Sequence, residues 1–336
     1  ETSYQIKSFT KQKSLSSDHW AILIESHTKN TFYLENLFYL KKAVLESGVK
    51  DCSFISFDEN LFDEMDIIYL ETESKFDIEV HHPKVSSGEI YIGKNKVQAV
   101  ILNNDQSKPI DIHWEDLKSP VFPPPKIGWF NRHKIDHFEK YHHIASDFST
   151  HFDIDQNLFS AKFKAFHQVN FSTKESFDNL AKEVDTFKLQ LQKNQKIFVK
   201  ASKGTYGMGI QVVSNGKDIL NMNRKVRNKM DIGKNRIKFT DVLIQEGIDT
   251  VINYDRMPAE VTIYLINGKS VGGFMRANSE KDNQSNLNSK GMVFKKFCIS
   301  EIRQNQDFAI KEAVYSVIAR LSTLAAGLEI KNLIKV

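Results

Sequence analysis

The sequence predicts an α/β protein: an open strand–helix–strand domain first, then a region of antiparallel ribbons and amphipathic helices. Three observations carry this. In the N-terminal third, apolar β-branched runs such as Trp20-Ala-Ile-Leu-Ile24 alternate with helix-period segments such as Leu34, Leu37 and Val44. Polar residues, among them Asn103, Asn104 and Asp105, stand just past a buried strand, where open α/β sheets place their ligand crevice. Between Ile197 and Val213, two β-branched runs flank a loop with glycines at 204, 207 and 209.

Taken in order, Trp20 to Glu25 reads as a buried strand. Asn30 or Thr31 caps a helix that turns Leu34, Leu37, Phe38 and Val44 inward and stops near Gly48. Cys52 to Phe57 is a second strand, and alternation in Phe76–Val80 and Glu89–Gly93 predicts antiparallel ribbons between Ile67 and Lys96. Val97 to Leu102 is another buried strand. Pro120 and Pro123-Pro124-Pro125 mark a stiff connection. Ile127 to Phe130 reads as a short strand, Arg132 to Phe148 as a helix, and Phe171 to Leu191 as an amphipathic helix. After the glycine hairpin come a basic helical stretch from Leu220 to Met230, strands at Asp241–Gln245 and Val261–Ile266, a turn at Gly268 into Ser270–Phe274, and a last helix from Phe308 to Gly327. The expected division is 1–118, an N-terminal α/β domain, then a linking part at 119–195, and 196–336, which holds the glycine hairpin.

Composition narrows the function. The 336 residues suffice for two or three domains, and 40% hydrophobic with 26% charged residues is ordinary for a globular protein. A net charge of +4, from 46 basic against 42 acidic residues, is spread without long runs. That suits a small polyanion and argues against a nucleic-acid surface, which needs a concentrated basic face. The longest apolar stretch, Ala313 to Leu328, is interrupted by Arg320 and Ser322, so no membrane span is expected. No signal-like segment opens the chain, Glu1 stands where an initiator Met would, and the expected location is the cytoplasm. Cys52 and Cys298 are too few for a disulfide framework or a thiolate metal site.

The glycine hairpin is where chemistry concentrates. Glycine reaches φ > 0 and has no Cβ, so the loop's N–H groups can approach phosphate oxygens, and Lys200 adds a point charge. The spacing G-x-x-G-x-G between two strands fits neither the P-loop, which needs Gly-Lys-Ser/Thr opening a helix, nor the dinucleotide fingerprint. It has the layout of an ATP-grasp phosphate-covering loop; a hairpin that merely turns is the alternative. Gln245-Glu246-Gly247 ends an apolar strand, as an adenine-reading segment does or as a plain strand end does. Glu260 opens the next strand and Arg276 closes the one after, where its fork of donors could bridge phosphates or make a surface ion pair. Arg224 to Lys229 carries four cations, a closing lid or a solvated helix face. His133 and His137 lie four apart, but Lys134 takes the place of the Glu in H-E-x-x-H, and exposed helix histidines are the better reading than zinc ligands.

Together these segments resemble the bacterial ATP-grasp type of glutamate–cysteine ligase, nearly end to end. The resemblance runs through Glu25-Ser-His-Thr-Lys-Asn-Thr-Phe-Tyr-Leu-Glu-Asn36, Leu102-Asn-Asn-Asp105, Gly128-Trp129 with Arg132, and Gly204-Thr-Tyr-Gly-Met-Gly209. It continues through Asn223-Arg-Lys-Val-Arg-Asn-Lys-Met230, Gln245-Glu-Gly247, Ala259-Glu260, Val271-Gly-Gly-Phe274 with Arg276, and Asn286-Leu-Asn288. It implies an ATP-grasp fold with an N-terminal open α/β domain, ATP and Mg²⁺ as the nucleotide and metal, and glutamate and cysteine as substrates in the first step of glutathione synthesis. It also implies roles. Lys200, Gly204, Thr205, Tyr206, Gly207, Met208, Gly209 and Arg276 would hold phosphates, and Gln245, Glu246, Gly247 and Glu260 the nucleoside. Asn286 and Asn288 would lie near the reacting carboxylate. Asn30, Asn103, Asn104 and Arg132, with Arg227 and Lys229, would bind substrate.

The chain departs from the family pattern at Ser202-Lys203, where Asp and Ala are usual, at Ala277-Asn278, in place of a His, and at Gln284-Ser285, in place of an acidic pair. The magnesium ligands are therefore not assigned; Glu329 is the one late acidic candidate. A related ligase for another amino acid or amine, a silent nucleotide-binding homologue and a homo-oligomer are the further expectations.

Overall fold

A six-residue run of apolar and aromatic side chains with no polar alternation needs cover on both faces, and His19–Ile24 obtains it as an inner strand of a six-stranded sheet. The structure, a computed structural model, describes residues 1–24, 31–62, 64–103, 106, 108–203, 209–231, 239–287, 291–297 and 306–334. They divide into two units, Glu1–Phe130 and Asn131–Val336.

The first unit opens with α1 (Thr2–Gln12), β1 (His19–Ile24) and α2 (Thr31–Glu46), then β2 (Asp51–Ile55), β3 (Ile67–Glu71) and β4 (Asp77–His81). The small strands β5 (Lys84–Ser86), β6 (Glu89–Ile92) and β7 (Asn95–Val97) lead to β8 (Ala99–Asn103) and β9 (Val121–Phe122). The sheet order is β3-β4-β2-β1-β8-β9, parallel except for the β3–β4 pair. Alternate residues of β1 feed two cores. Trp20, Ile22 and Ile24 meet Leu34, Leu37 and Val44 of α2, while Ala21 and Leu23 meet Val100, Leu102 and Ile90 on the other face. Phe38 is half-buried and stacks on Phe76, 4.4 Å between ring centroids. Cys52 is buried, and burial pushes its thiol up to about 12, so it is no nucleophile. The expected short strand at Ile127–Phe130 is absent. Pro125–Ile127 form a 3-10 turn instead, with Pro at its first position, and Phe130 N–H donates to the Gln106 carbonyl.

The second unit begins with α3 (Lys134–Phe152), β10 (Phe163–Phe166), α4 (Lys174–Lys188), β11 (Ile197–Ala201) and β12 (Ile210–Val213). Short α5 (Gly216–Leu220) and α6 (Arg224–Asp231) precede β13 (Val242–Glu246). The antiparallel sheet β10-β13-β11-β12 lays Ile197, Val199, Ala201, Val242 and Ile244 against Phe177, Leu180, Val184 and Phe187 of α4. A second antiparallel sheet joins β14 (Asn253–Tyr254), β15 (Met257–Ile266), β16 (Lys269–Asn278) and β17 (Met292–Phe297). The last helix, α7 (Gln306–Ile334), packs on α3, β15 and β16. The apolar stretch is longer than expected: by length and composition alone Ile310–Ile334 could cross a membrane, with a mean hydropathy of 1.3 over its most apolar part. A single such helix does not distinguish a membrane segment from a domain helix.

α7 is pinned to α3 by charge. Arg132 donates through Nε and Nη2 to the two Glu329 oxygens at 3.0 and 3.2 Å, His137 Nδ1 contacts the same carboxylate, and His137 Nε2 lies 3.1 Å from Ser322 Oγ. His137 is thus half-buried and partnered, against the expectation of an exposed histidine. Burial pushes the Glu329 carboxyl up, but the hydrogen bonds from His137 and Arg132 outweigh it and hold it below its ordinary value. A carboxyl depressed in the folded state stabilises above its unfolded pKa, and that contribution is lost as pH falls through the folded one. Glu329→Ala should cost about 3 kcal/mol in denaturant unfolding at neutral pH, since it strands a poorly exposed Arg. It should also flatten the acid limb of the stability curve; an unchanged limb would show the cluster to be energetically idle.

Candidate active site

Strand parity builds the site. Val199 and Ala201 of β11 point into the α4 core, so Phe198 and Lys200 point from the opposite face. In the register Lys200 pairs with Leu243 of β13, which places Gln245, two residues on, diagonally beside it on the same face. Lys200 Nζ donates to Gln245 Oε1 at 2.7 Å and lies 5.2 Å from the Phe198 ring centre. Burial holds the Lys200 ammonium below its ordinary pKa, while the Glu260 carboxylate pulls it part of the way back.

A second lysine, which the sequence reading used only to dismiss zinc, joins it. α3 starts against the end of β11: Lys134 N–H donates to the Ser202 carbonyl at 2.9 Å, and Lys134 Nζ to the Ala201 carbonyl at 3.1 Å. Burial, and then the neighbouring Lys200 charge, push the Lys134 ammonium down to about 8. The available signal was a lysine in the first turn of a helix, where the macrodipole is already positive and a cation is unfavourable.

Glu260 and Arg276 face each other across β15 and β16. Glu260 Oε1 and Arg276 Nε stand 2.6 Å apart, yet neither atom has hydrogen-bond alignment, so the contact is one of charge and not a directed bond. Glu260 therefore feels both Arg276 and Lys200. The hairpin closes as predicted, with Ala201 N–H donating to the Gly209 carbonyl at 2.7 Å. Gly209 has φ +68°, and a Cβ there would come within 2.7 Å of the Ala201 Cβ, so only glycine serves. Gly204, Thr205, Tyr206, Gly207 and Met208 lie outside the described residues.

The other expected site residues have surroundings of their own. Glu246 follows Gln245 and so turns to the opposite, α4-covered face. There its carboxylate accepts from Lys162 N–H at 2.6 Å and Gln195 Nε2 at 3.1 Å, beside a hollow of about 430 Å³. Gly247 lies so near the Lys196 carbonyl that a Cβ would sit 2.8 Å from its oxygen. Arg132 is on Glu329, and the exposed Arg227 lies 5.5 Å from the Phe177 ring centre. Asn286 lies on the loop after β16. In the first unit, Asn103 ends β8; its carbonyl accepts from Tyr33 Oη at 2.5 Å, and its buried Nδ2 meets no acceptor among the described residues. Asn30, Asn104, Asn288 and the Lys229 side chain lie outside the description. Among the described residues no group of three or more His, Cys, Asp or Glu side chains gathers.

The family model for glutamate-cysteine ligase (GshA) matches residues 4–330. The chain belongs to the glutamate–cysteine ligase family. A solved structure from Methylobacillus flagellatus KT, assigned as a gamma-glutamylcysteine synthetase, superposes on this ligase with a TM-score of 0.85 at 26% identity, covering 98% of this chain and 81% of that one. The D-alanyl-alanine synthetase A of Vibrio cholerae aligns at a TM-score of 0.43 and 12% identity over 90% of this chain and 81% of its own. None of the curated proteins matches. The α/β, ATP-grasp reading holds, and the chain is an ATP-dependent ligase.

A lysine whose folded pKa is lowered to about 8 carries its charge below that pH and loses it above. ATP affinity of this ligase should be flat below pH 8 and weaken by up to about tenfold per unit above it. Lys134→Met should weaken binding at pH 7 and remove that inflection in a calorimetric titration. An inflection that survives the substitution would assign it to another group.

Proposed function

We propose that this glutamate–cysteine ligase activates the γ-carboxylate of glutamate as an acyl phosphate and passes it to the α-amine of cysteine, with the ATP phosphates on the face of β11 and β13 that carries Lys200. The observation that supports this most is the pair of half-buried lysines, Lys134 and Lys200, turned to one place with both ammonium groups losing proton affinity. Cations kept close together at such a cost are matched by a ligand of high negative charge, and the triphosphate is that ligand.

A glutamate carboxylate oxygen attacks the γ-phosphorus, and the bond to the ADP oxygen breaks. The cysteine nitrogen then attacks the acyl carbon, phosphate leaves with its electron pair, and the nitrogen gives up a proton. Lys200 and Lys134 offset the phosphate charge in both steps, while Gln245 fixes Lys200 through their 2.7 Å hydrogen bond. Arg276 exchanges part of its pairing with Glu260 for phosphoryl oxygens, which its planar fork fits. Glu260 is then free to accept from nucleoside hydroxyls. The hairpin loop that ends at Gly209 covers the phosphates and shields the acyl phosphate from water. Asn286 and Asn288 hold the reacting carboxylate. Mg²⁺, which the family implies, would add charge neutralisation at the phosphates when bound.

ADP release should require glutamate and cysteine together, and mass spectrometry should find γ-glutamylcysteine. Release with a different amine but not with cysteine would overturn the substrate assignment. Arg276→Lys, which keeps the charge but loses the fork, should lower kcat about 100-fold with far less effect on ATP binding. Normal turnover in that variant would remove Arg276 from the reaction.

A further inference from the structure

At the end of β16 an asparagine is fully buried where a strand could simply stop. Asn278 Oδ1 accepts from Glu280 N–H at 3.0 Å, and Asn278 Nδ2 donates to the Leu287 carbonyl at 3.3 Å. One side chain thus bridges Glu280 and Leu287 in the loop that follows β16. The loop is drawn tight by other bonds as well: Ser285 Oγ donates to Asp282 Oδ1 at 2.6 Å, and Thr250 N–H donates to the Asn283 carbonyl at 3.1 Å. Leu287, whose carbonyl Asn278 holds, is itself buried and stands directly between Asn286 and Asn288. Asn278 also lies two residues beyond Arg276 on the same strand, so the two side chains leave β16 on the same face.

We propose that Asn278 is a positioning residue for the ligation: by fixing the Leu287 carbonyl it sets Asn286 relative to Arg276, and with it the carboxylate that is phosphorylated. This rests on the reading of Asn286 given above. An asparagine is what the place requires, because the two partners need one acceptor and one donor from the same short side chain. A carboxylate would still accept from Glu280 N–H but would set an oxygen against the Leu287 carbonyl. An alanine would serve neither partner.

The test compares Asn278→Asp, Asn286→Ala and the double variant by steady-state kinetics of ADP release. Asn278→Asp should lower kcat, or raise KM for glutamate, by roughly tenfold or more while KM for ATP stays within about twofold. If Asn278 acts through Asn286, the double variant is no slower than Asn286→Ala alone, because the second change removes a positioning that no longer matters. Losses that multiply, or an Asn278→Asp enzyme with wild-type constants beside an impaired Asn286→Ala, would overturn the inference and leave the site intact. An Asn286→Ala enzyme of full activity would instead overturn the reading of Asn286, and the positioning role with it. Should Asn278→Asp not fold, Asn278→Ser, which keeps a hydroxyl for one partner, gives the same split between the glutamate and ATP constants.

Discussion

Two half-buried ammonium groups at the end of β11 are the constraint on which the second unit turns. Lys200 stands on the open face of β11, and Lys134 reaches the same strand end from the first turn of α3. Each is less basic than a solvated lysine, Lys200 through burial and Lys134 through burial and then the Lys200 charge. Burial and like charge both oppose folding, and a helix N-terminus adds to them. In the function proposed above, a bound triphosphate supplies the negative charge that answers both ammonium groups.

The remaining architecture can be read as what holds that arrangement in place. α4 covers one face of the β10-β13-β11-β12 sheet with Phe177, Leu180, Val184 and Phe187, which leaves the other face to carry polar groups. β13 supplies Gln245 as a fixed acceptor for Lys200. β15 and β16 supply Glu260, a carboxylate near both Lys200 and Arg276, so that the cations have partial compensation before any nucleotide arrives. The Arg132–Glu329–His137 cluster ties α3, whose first residue is Lys134, to the long final helix. A change in that cluster therefore acts on the site through the helix that bears one of its lysines.

Much of this was legible in the sequence, for local reasons. The glycine hairpin, the β-branched strands beside it and the inner strand His19–Ile24 are written in residues that neighbour one another, and they formed where expected. What was not legible depends on distant partners. Lys134 finds the Ala201 carbonyl 67 positions away, and Arg132 finds Glu329 197 positions away, so neither role shows in its own segment. Gln245 and Glu246 look equivalent in the sequence; only the β11–β13 register says that the first joins Lys200 and the second turns to the α4 side. Ile127 to Phe130 has strand-like residues, but the preceding prolines favour a 3-10 turn.

The most direct measurement is the thermal midpoint of Lys200→Met with and without ATP, beside the wild type. If the lysine is held for the triphosphate, the variant without ATP melts at or above the wild-type temperature, because a half-buried charge has been replaced by an apolar chain of similar length. Its midpoint should then not rise with ATP at concentrations that raise the wild type by several degrees, about what roughly 100-fold saturation gives. A variant that melts well below the wild type yet still responds fully to ATP would contradict this, and would make Lys200 a structural residue.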